Sequence, residues 1–577
     1  MHTTVLVKQI PDINKIQFDP STGRIIRDNV PLQMNSFDRK AVDEAIKIKE
    51  KLGGTVSVVT MGPPFASEVL NLSLRMGADR GILISDRAFA GADTLVTSII
   101  LAEAVKKLAP DLVLAGKYSL DGETSQVPPE VAYFAGYNFK SSVSRIDFSS
   151  DQKTILIEHE REDGLQEIEL PLKALVSVSE KINRARPLKP GVPDMTDRIE
   201  NWTSADLGLT ISGQKDSPTV VSGTARLESG RNVHLFEKLE SALETLVSLA
   251  SESGNEDPVV YREISSYDAS RKVVLGVCID DPSLAIEISS KIFDLSRGEF
   301  NIELIGNVPP DLIRGAQCHV YHRLDCGSTR CMAADIFRYI EEKQPEFVVF
   351  PSTVEGREVS AMVAAMGKLG LTADCVDLAL VNGILVQMKP AFGGGVVANI
   401  TSKTKPAMAT VRPGMFKVCR TNTPFRIGDF KCSRSHTEKI TRFIGVPESF
   451  RPLRNASIIV GIGKGIGDRA NVEPIRSVAD SIGAALGATR PLVDLGFVPR
   501  QVQIGLTGIS ISPSLYLALG ISGHDNHVVG FRYAKKIFSV NKDPNAPIFK
   551  YSDYGYVGDC MEFVKSLSDL LNTKRNT

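Results

Sequence analysis

The sequence predicts an α/β protein: two doubly wound blocks of one architecture, followed by a third compact α/β unit on a parallel sheet. Three observations carry this. Short β-branched runs alternate with amphipathic helical stretches from the first residues onward, and such alternation folds into a parallel sheet flanked by helices. The alternation restarts at Lys272 with KVVLGVCID, in the same order of elements. It restarts again at Ser457, beyond Ile444–Arg454, whose prolines and arginines between apolar runs read as a linker.

In the first block Val5–Lys8 is a predicted strand. Ser36–Leu52 is a helix with Ala41, Ala45, Ile46 and Ile48 on its apolar side. Strands follow at Thr55–Thr60, Gly81–Ser85 and Asp111–Ala115, separated by helices around Ser67–Met76 and Ala92–Leu108, and a further helix starts near Pro128. Thr154–His159 and Leu165–Pro171 alternate around Asp163-Gly164 and read as an antiparallel pair. Asn183–Asp216 is rich in Pro, Asp and Arg and reads as an exposed arm outside the core. Leu235–Leu249 is a helix and Ser251–Asp268 a polar linker. The second block has helices at Leu284–Leu295, Ala333–Lys343 and Arg357–Leu369, with strands at Asn301–Ile305 and Glu346–Phe350. β structure then runs through Leu378–Gln387, Ala398–Thr401 and Ala407–Val411. The third unit opens with strand Ser457–Val460, the glycines of GIGKGIG and a helix over Val472–Leu486. The expected division is residues 1–255, a linker at 256–271, then 272–445, a hinge at 446–455, and 456–577.

Composition is that of an ordinary globular chain: 42% hydrophobic, 23% charged, net charge −1. No global field favours nucleic acid or an acidic membrane. No apolar run approaches the roughly 20 residues of a spanning helix, and MHTTVLVKQIPD lacks a signal-peptide pattern. Eight scattered cysteines fit a reducing cytoplasm. Cys326 and Cys331, with His319 and His322 upstream, match no standard metal spacing and read as a loop with incidental thiols.

Chemistry concentrates in two places. Between Arg490 and Asp559, glycines, small hydroxyls, one Arg, His527 and acids punctuate short apolar runs: RPLVDLGFVP, QIGLTGISISPSLYLALGISGHDNH and VNKDPNAPIFKYSDYGYVGD. Such a mixture suits a nucleotide cofactor, whose pyrophosphate is held by backbone N–H groups and helix N-termini. The second place is Gly116-Lys117 and DGETSQ (Asp121, Gly122, Glu123, Thr124, Ser125, Gln126), after the strand ending at Ala115. A loop at the carboxyl end of a parallel strand is where such sheets bind nucleotides.

These motifs resemble the electron transfer flavoproteins, nearly from end to end. Residues 1 to about 255 are similar to the β subunit, in VLVKQIPD, MNSFDRKAVDEA, TMGPP, RMGADRGILISDRAFAGADT and GKYSLDGETSQVPPEVA. Residues from about 270 resemble the α subunit, in GLTADCVDL, KPAFGGGVVANI and ATVRPGMF, followed by its flavin domain. The resemblance implies both subunits in one chain, β first: two pseudo-symmetric blocks form a base, and an FAD-binding domain is tethered to it near Ile444–Arg454. It also implies cytoplasmic electron transport through FAD. Donors would be flavin dehydrogenases of the acyl-CoA dehydrogenase type, or NADH; acceptors a membrane quinone oxidoreductase or a ferredoxin. A nucleotide-binding regulatory module is the reading from another class.

By the same resemblance Arg490 lies over the flavin ring and His527 faces its N1 and C2=O edge, where reduction gathers charge. A unit charge 4 Å away is worth about 4 kcal/mol at an effective dielectric near 20. Thr507 belongs near N5 or the nearby ring edge, Lys464, Thr489, Gln503 and Gly508 near the cofactor, Ser522 and Gly523 at phosphate, and Asn541 and Asp559 by the adenosine half. Lys464 stands where many α subunits have Arg, and Leu506 and Ile509 replace a Gln and a Lys. The β-like site implies AMP or a second FAD, lined by Leu6, Asn35, Phe37, Met61 and the run from Asp121 through Val127 to Ala132. Its DRAFAGADT segment, Asp86–Thr94, is that of the two-FAD, NADH-dependent bifurcating subset, whereas Pro128 replaces a Gly. Leu188, in NRARPLKP, resembles the residue that anchors a partner.

Overall fold

The computed structural model describes all residues except 13–16, 19–24, 27–29, 189, 227–230, 255–259, 392–395, 434–438, 446–452, 454–455, 506–507 and 577. It has two compact units. The larger comprises Met1–Arg226, Tyr261–Arg412 and Cys419–Gly445; the smaller comprises Leu227–Val260, Pro413–Val418 and Val446–Thr577.

In the larger unit a ten-stranded sheet runs in the order Ile199–Trp202, Arg80–Ile84, Thr55–Met61, His2–Leu6, Leu112–Gly116, Ala174–Val178, Asn138–Phe148, Thr154–Glu160, Gly164–Pro171, Lys439–Gly445. Its first seven strands are parallel, and the rest pair antiparallel. A second, wholly parallel sheet has the order Leu371–Cys375, Ala407–Val411, Phe347–Pro351, Val273–Cys278, Asn301–Gly306, Val320–Arg323, Arg426–Ile427. The central strands Leu112–Gly116 and Val273–Cys278 are buried at every residue, which is why they read as unbroken apolar runs. One core spans both blocks and includes Leu6, Ile82, Leu275, Val348, Phe350 and Met362.

The blocks exchange strands. Thr219–Arg226, from the first half of the chain, pairs antiparallel with Val396–Ser402 in the second half's four-stranded sheet, beside Ile384–Ala391 and Asp377–Val381. In return, Lys439–Gly445 pairs with Gly164–Pro171 of the first half.

The smaller unit is a six-stranded parallel sheet in the order His234–Phe236, Tyr554–Val557, Lys536–Asn541, Leu515–Leu519, Ile458–Ile462, Ala485–Ala488. Helix Leu239–Gly254 buries Ala242, Leu243, Leu246 and Leu249 in the same core as Ile459, Leu517 and Phe538. This stretch precedes the second block in sequence yet packs with the third.

Several expected elements shift. Leu235 lies in a strand rather than a helix, and the helix continues through Ser251 to Gly254. Leu486 lies in a strand, because the helix from Val472 stops at Ser481 and Gly483 turns at φ +71. The arm Asn183–Asp216 is not wholly outside the core: Ile199–Trp202 is the sheet's edge strand and Trp202 is buried. Most of the linker Ile444–Arg454 lies outside the described residues. No described helix is long and apolar enough to cross a membrane.

Candidate functional site

The first crevice follows from topology. His2–Leu6 and Leu112–Gly116 are parallel neighbours, but the chain continues from them to opposite sides of the sheet. Ligands bind at such a switch point, beyond the carboxyl ends of the strands. A cavity of about 430 Å³ opens there, lined by Leu6 and Lys8 after one strand and Gly116 and Ser119 after the other. Asp38, on helix Ser36–Leu52, ties both strand ends together. It accepts from the backbone N–H of Lys8 at 2.8 Å and of Gly116 at 3.1 Å, and burial pushes its pKa up to about 7. A Cβ at Gly116 would fall 2.3 Å from the Asp38 carboxylate.

Of the expected liners, Leu6, Met61, Gly122, Thr124, Ser125, Gln126 and Val127 face the cavity. Asn35 and Phe37 sit behind it. Asn35 donates to Asp38 at 3.0 Å and to the Tyr118 carbonyl at 2.9 Å, while the Phe37 ring packs on Tyr118 at 4.8 Å. Asp121 pairs with Lys8 at 2.8 Å. Glu123 and Ser125 hold φ of +50 and +57, so the loop is strained. Gln126 fixes it, accepting from Thr94 at 2.8 Å and donating to the Leu371 carbonyl at 3.0 Å.

Sequence reasoning missed the wall from the second half, where Leu371, Thr372, Lys389 and Ile400 line the cavity. The Lys389 ammonium is buried with no hydrogen-bond partner. Burial lowers its pKa, against the pull of Asp374 and Glu123. An ammonium without a hydrogen-bond partner is costly to bury, and an anionic ligand group in the cavity would relieve that cost. A Lys directly before Pro390 in a strand was the available signal.

The second half has the same switch point, between Val273–Cys278 and Phe347–Pro351. There the first half's own hairpin enters. Arg161, at its tip, bonds Glu355 and lies 3.2 Å from Asp280, and the Glu162 carboxylate accepts from Val354 N at 2.6 Å, at the start of helix Val354–Gly367. Charged side chains of the protein thus occupy the place a phosphate would take.

The smaller unit has its own switch point, between Ile458–Ile462 and Leu515–Leu519. Two glycine loops meet there. Gly465 N donates to Gly520 O at 2.9 Å, and a Cβ on Gly463 would lie 2.4 Å from that same oxygen. Gly523, at φ +88, has room for no Cβ beside Ile548 N, 2.2 Å away. Glycine here lets the two loops pack backbone on backbone, beside the strand ends where a pyrophosphate binds in such sheets. Thr489 Oγ1 is buried without a partner, on the strand end beside it. Lys464 is exposed in the first glycine loop, and Ser522 is exposed in the second. Arg490 is half-exposed and touches Asp494 at 3.3 Å. Gln503 is buried, and a Cβ at Gly508 would meet its carbonyl oxygen at 2.3 Å. Thr507 lies outside the described residues.

Three expected contacts are engaged by the protein itself. His527 is buried, its Nδ1–H donating to Ile504 O at 2.9 Å and its Nε2 accepting from the Tyr516 hydroxyl at 2.9 Å. Desolvation lowers its pKa to about 4. Asn541 donates to Ile521 O at 2.8 Å, and Asp559 accepts from Met561 N at 2.8 Å at the head of the last helix. Leu188 is half-buried against the first block's core, on a loop that Arg186 pins to Glu50 at 2.7 Å.

Switch points of parallel sheets, one beside paired glycine loops and one opening on a cavity with a buried cation, are the architecture of a nucleotide-binding α/β protein. Comparison with known proteins supplies the family. The electron transfer flavoprotein domain matches residues 22–207 and 320–442, and the electron transfer flavoprotein FAD-binding domain matches 452–532. The electron transfer flavoprotein β subunit of Thermoanaerobacterium thermosaccharolyticum is 36% identical over 253 residues, 43% of this chain and 96% of that protein. The α subunit of the same organism is 35% identical over 303 residues, covering 49% and 92%. CarD, a subunit of the caffeyl-CoA reductase-Etf complex of Acetobacterium woodii, is 40% identical over 227 residues, covering 38% and 86%. The chain belongs to the electron transfer flavoprotein family, with β- and α-type regions in one polypeptide, and it carries electrons through FAD.

Proposed function

We propose that the chain is a two-flavin electron carrier: one FAD in the smaller unit, and a second FAD in the cavity of the larger. The observation that carries the second site is the unpartnered, buried ammonium of Lys389 on the cavity wall. When bound, FAD supplies reversible one- and two-electron redox chemistry, which no side chain of the protein can. In the cavity, Lys389 would meet the ligand's negative charge, the loop Gly122–Gln126 would orient its polar half, and Leu6, Leu101, Leu371 and Ile400 would exclude water. In the smaller unit the Gly463–Gly467 and Gly520–Gly523 loops would hold the pyrophosphate. Arg490 would stand over the ring, and Thr489 would give its unused hydroxyl.

Electrons would enter from NADH at the second flavin, or from a flavin dehydrogenase of the acyl-CoA type. They would leave to a quinone oxidoreductase or a ferredoxin. The relative named for a caffeyl-CoA reductase complex supports docking with an enzyme of CoA esters, with Leu188 on the candidate docking loop. The test is the nucleotide released by acid from protein purified without added flavin, followed by anaerobic NADH titration. About two FAD per chain and bleaching by NADH support the reading. One FAD with one AMP, and no bleaching, sinks the second flavin and leaves a single-flavin carrier.

A further inference from the structure

Cys326, Asp335 and Cys432 bring a thiol, a carboxylate and a second thiol within 4.8 Å of one another. None lines the nucleotide cavity. They come from three places: the loop before helix Thr329–Lys343, the second turn of that helix, and the segment after strand Arg426–Ile427. The upstream histidines are not part of this cluster. His319 accepts from Ile302 N at 2.9 Å, and His322 meets Glu303 at 2.8 Å.

Each donor is already aimed. Asp335 is buried and accepts from Ser433 N at 2.9 Å, from Arg338 at 2.8 Å and from the Cys326 thiol at 3.3 Å. Cys432 Sγ accepts from Asp325 N at 3.3 Å. The neighbouring Cys331 thiol is engaged by the Ser433 carbonyl at 2.9 Å. Outer contacts of this kind orient the ligands of metal sites. In a tetrahedral zinc site, with Zn–S about 2.3 Å and Zn–O about 2.1 Å, donors stand about 3.5–3.8 Å apart, so closing this cluster takes about 1 Å of side-chain movement.

We propose that Cys326, Asp335 and Cys432 form a binding site for a thiophilic divalent cation of the zinc class, with a fourth corner open to solvent. Two thiolates select zinc over magnesium or calcium. Charge balances as well: two thiolates and a carboxylate against the dication and the Arg338 guanidinium. Binding releases the two thiol protons to solvent. The cation would join helix Thr329–Lys343 to the segment that leads toward the exchanged strand Lys439–Gly445.

The test uses the full chain with its flavin, purified without chelator. Metal is measured by mass spectrometry, and thiols are counted after denaturation. Expected are about one zinc per chain, lost in both Cys432→Ser and Asp335→Asn at unchanged FAD content. Replacing zinc by cobalt(II) in the wild-type chain should give a thiolate-to-metal absorption band in the near ultraviolet. Asp335→Asn keeps the shape of the side chain, so it separates metal loss from misfolding. The proposal is overturned by a metal-free chain that shows no such band on cobalt titration, by a Cys326–Cys432 disulfide in the purified protein, or by zinc retained in both variants.

Discussion

The two halves of the larger unit place the same crevice at the same point of the same sheet, and fill it differently. In the first half it is open, and the Lys389 ammonium on its wall has no hydrogen-bond partner. In the second half it is closed by the first half's own hairpin, with Arg161 between Asp280 and Glu355 and Glu162 on the helix start. One architecture thus gives an open crevice with a buried ammonium on its wall, and a structural joint where the protein pairs its charges internally. Occupancy is decided by a few side chains, not by topology.

Arg161→Ala attacks the closed crevice and carries the largest expected effect. It leaves Glu355 buried beside Asp280 with only the charge of Lys140 to answer them, and breaking such a buried pair costs about 3–5 kcal/mol. Urea unfolding should show the loss; a shift under about 1 kcal/mol would mean that the hairpin merely rests there. The smaller unit offers a contrast in which a buried base stays neutral. His527 has a folded pKa near 4 against an ordinary 6.5. The unfolded state therefore binds the extra proton first, and stability present above pH 6.5 is lost as pH falls toward 4. The expected loss is about 2–3 kcal/mol. Unfolding midpoints across this range should fall in the native chain and stay flatter in His527→Asn.

Lys389→Met attacks the open crevice. Losing a charge-assisted contact, worth about 1.5–3 kcal/mol, should weaken the second nucleotide about 10- to 100-fold. Titration calorimetry on the nucleotide-stripped chain reads this directly, and unchanged affinity would take Lys389 out of the site. The smallest effect is expected at half-exposed Arg490, where water screens the charge. Arg490→Ala should lower the flavin's midpoint potential by about 40 mV, the one-electron equivalent of about 1 kcal/mol. An unchanged potential would remove Arg490 from the ring.

Much of this was legible in the residues. The buried parallel strands announced themselves as unbroken apolar runs, and the flavin-domain loops as a mixture of glycines, small hydroxyls and charges between such runs. The Asp121–Gln126 loop was found because it follows a strand. What stayed hidden was long-range. Arg161 meets Glu355 194 residues away, and Gln126 meets Leu371 245 residues away; no local pattern encodes such partners. Strand Thr219–Arg226 was missed because its register is set by Val396–Ser402, not by its own alternation. His527 was read from its motif as a flavin ligand, while the structure spends both its nitrogens on Ile504 and Tyr516.

The strand exchange has a consequence for how the chain is made. Gly164–Pro171 acquires its outer neighbour only when Lys439–Gly445 has been synthesised, 274 residues later. At ordinary translation rates that is roughly 15–55 s. For that interval the first half stands with an open edge, the feature that invites misassembly between nascent chains. Glu167 and Glu169 on that edge, later answered by Arg442 and Lys439, set like charges against a second copy of the same open edge until the basic strand arrives.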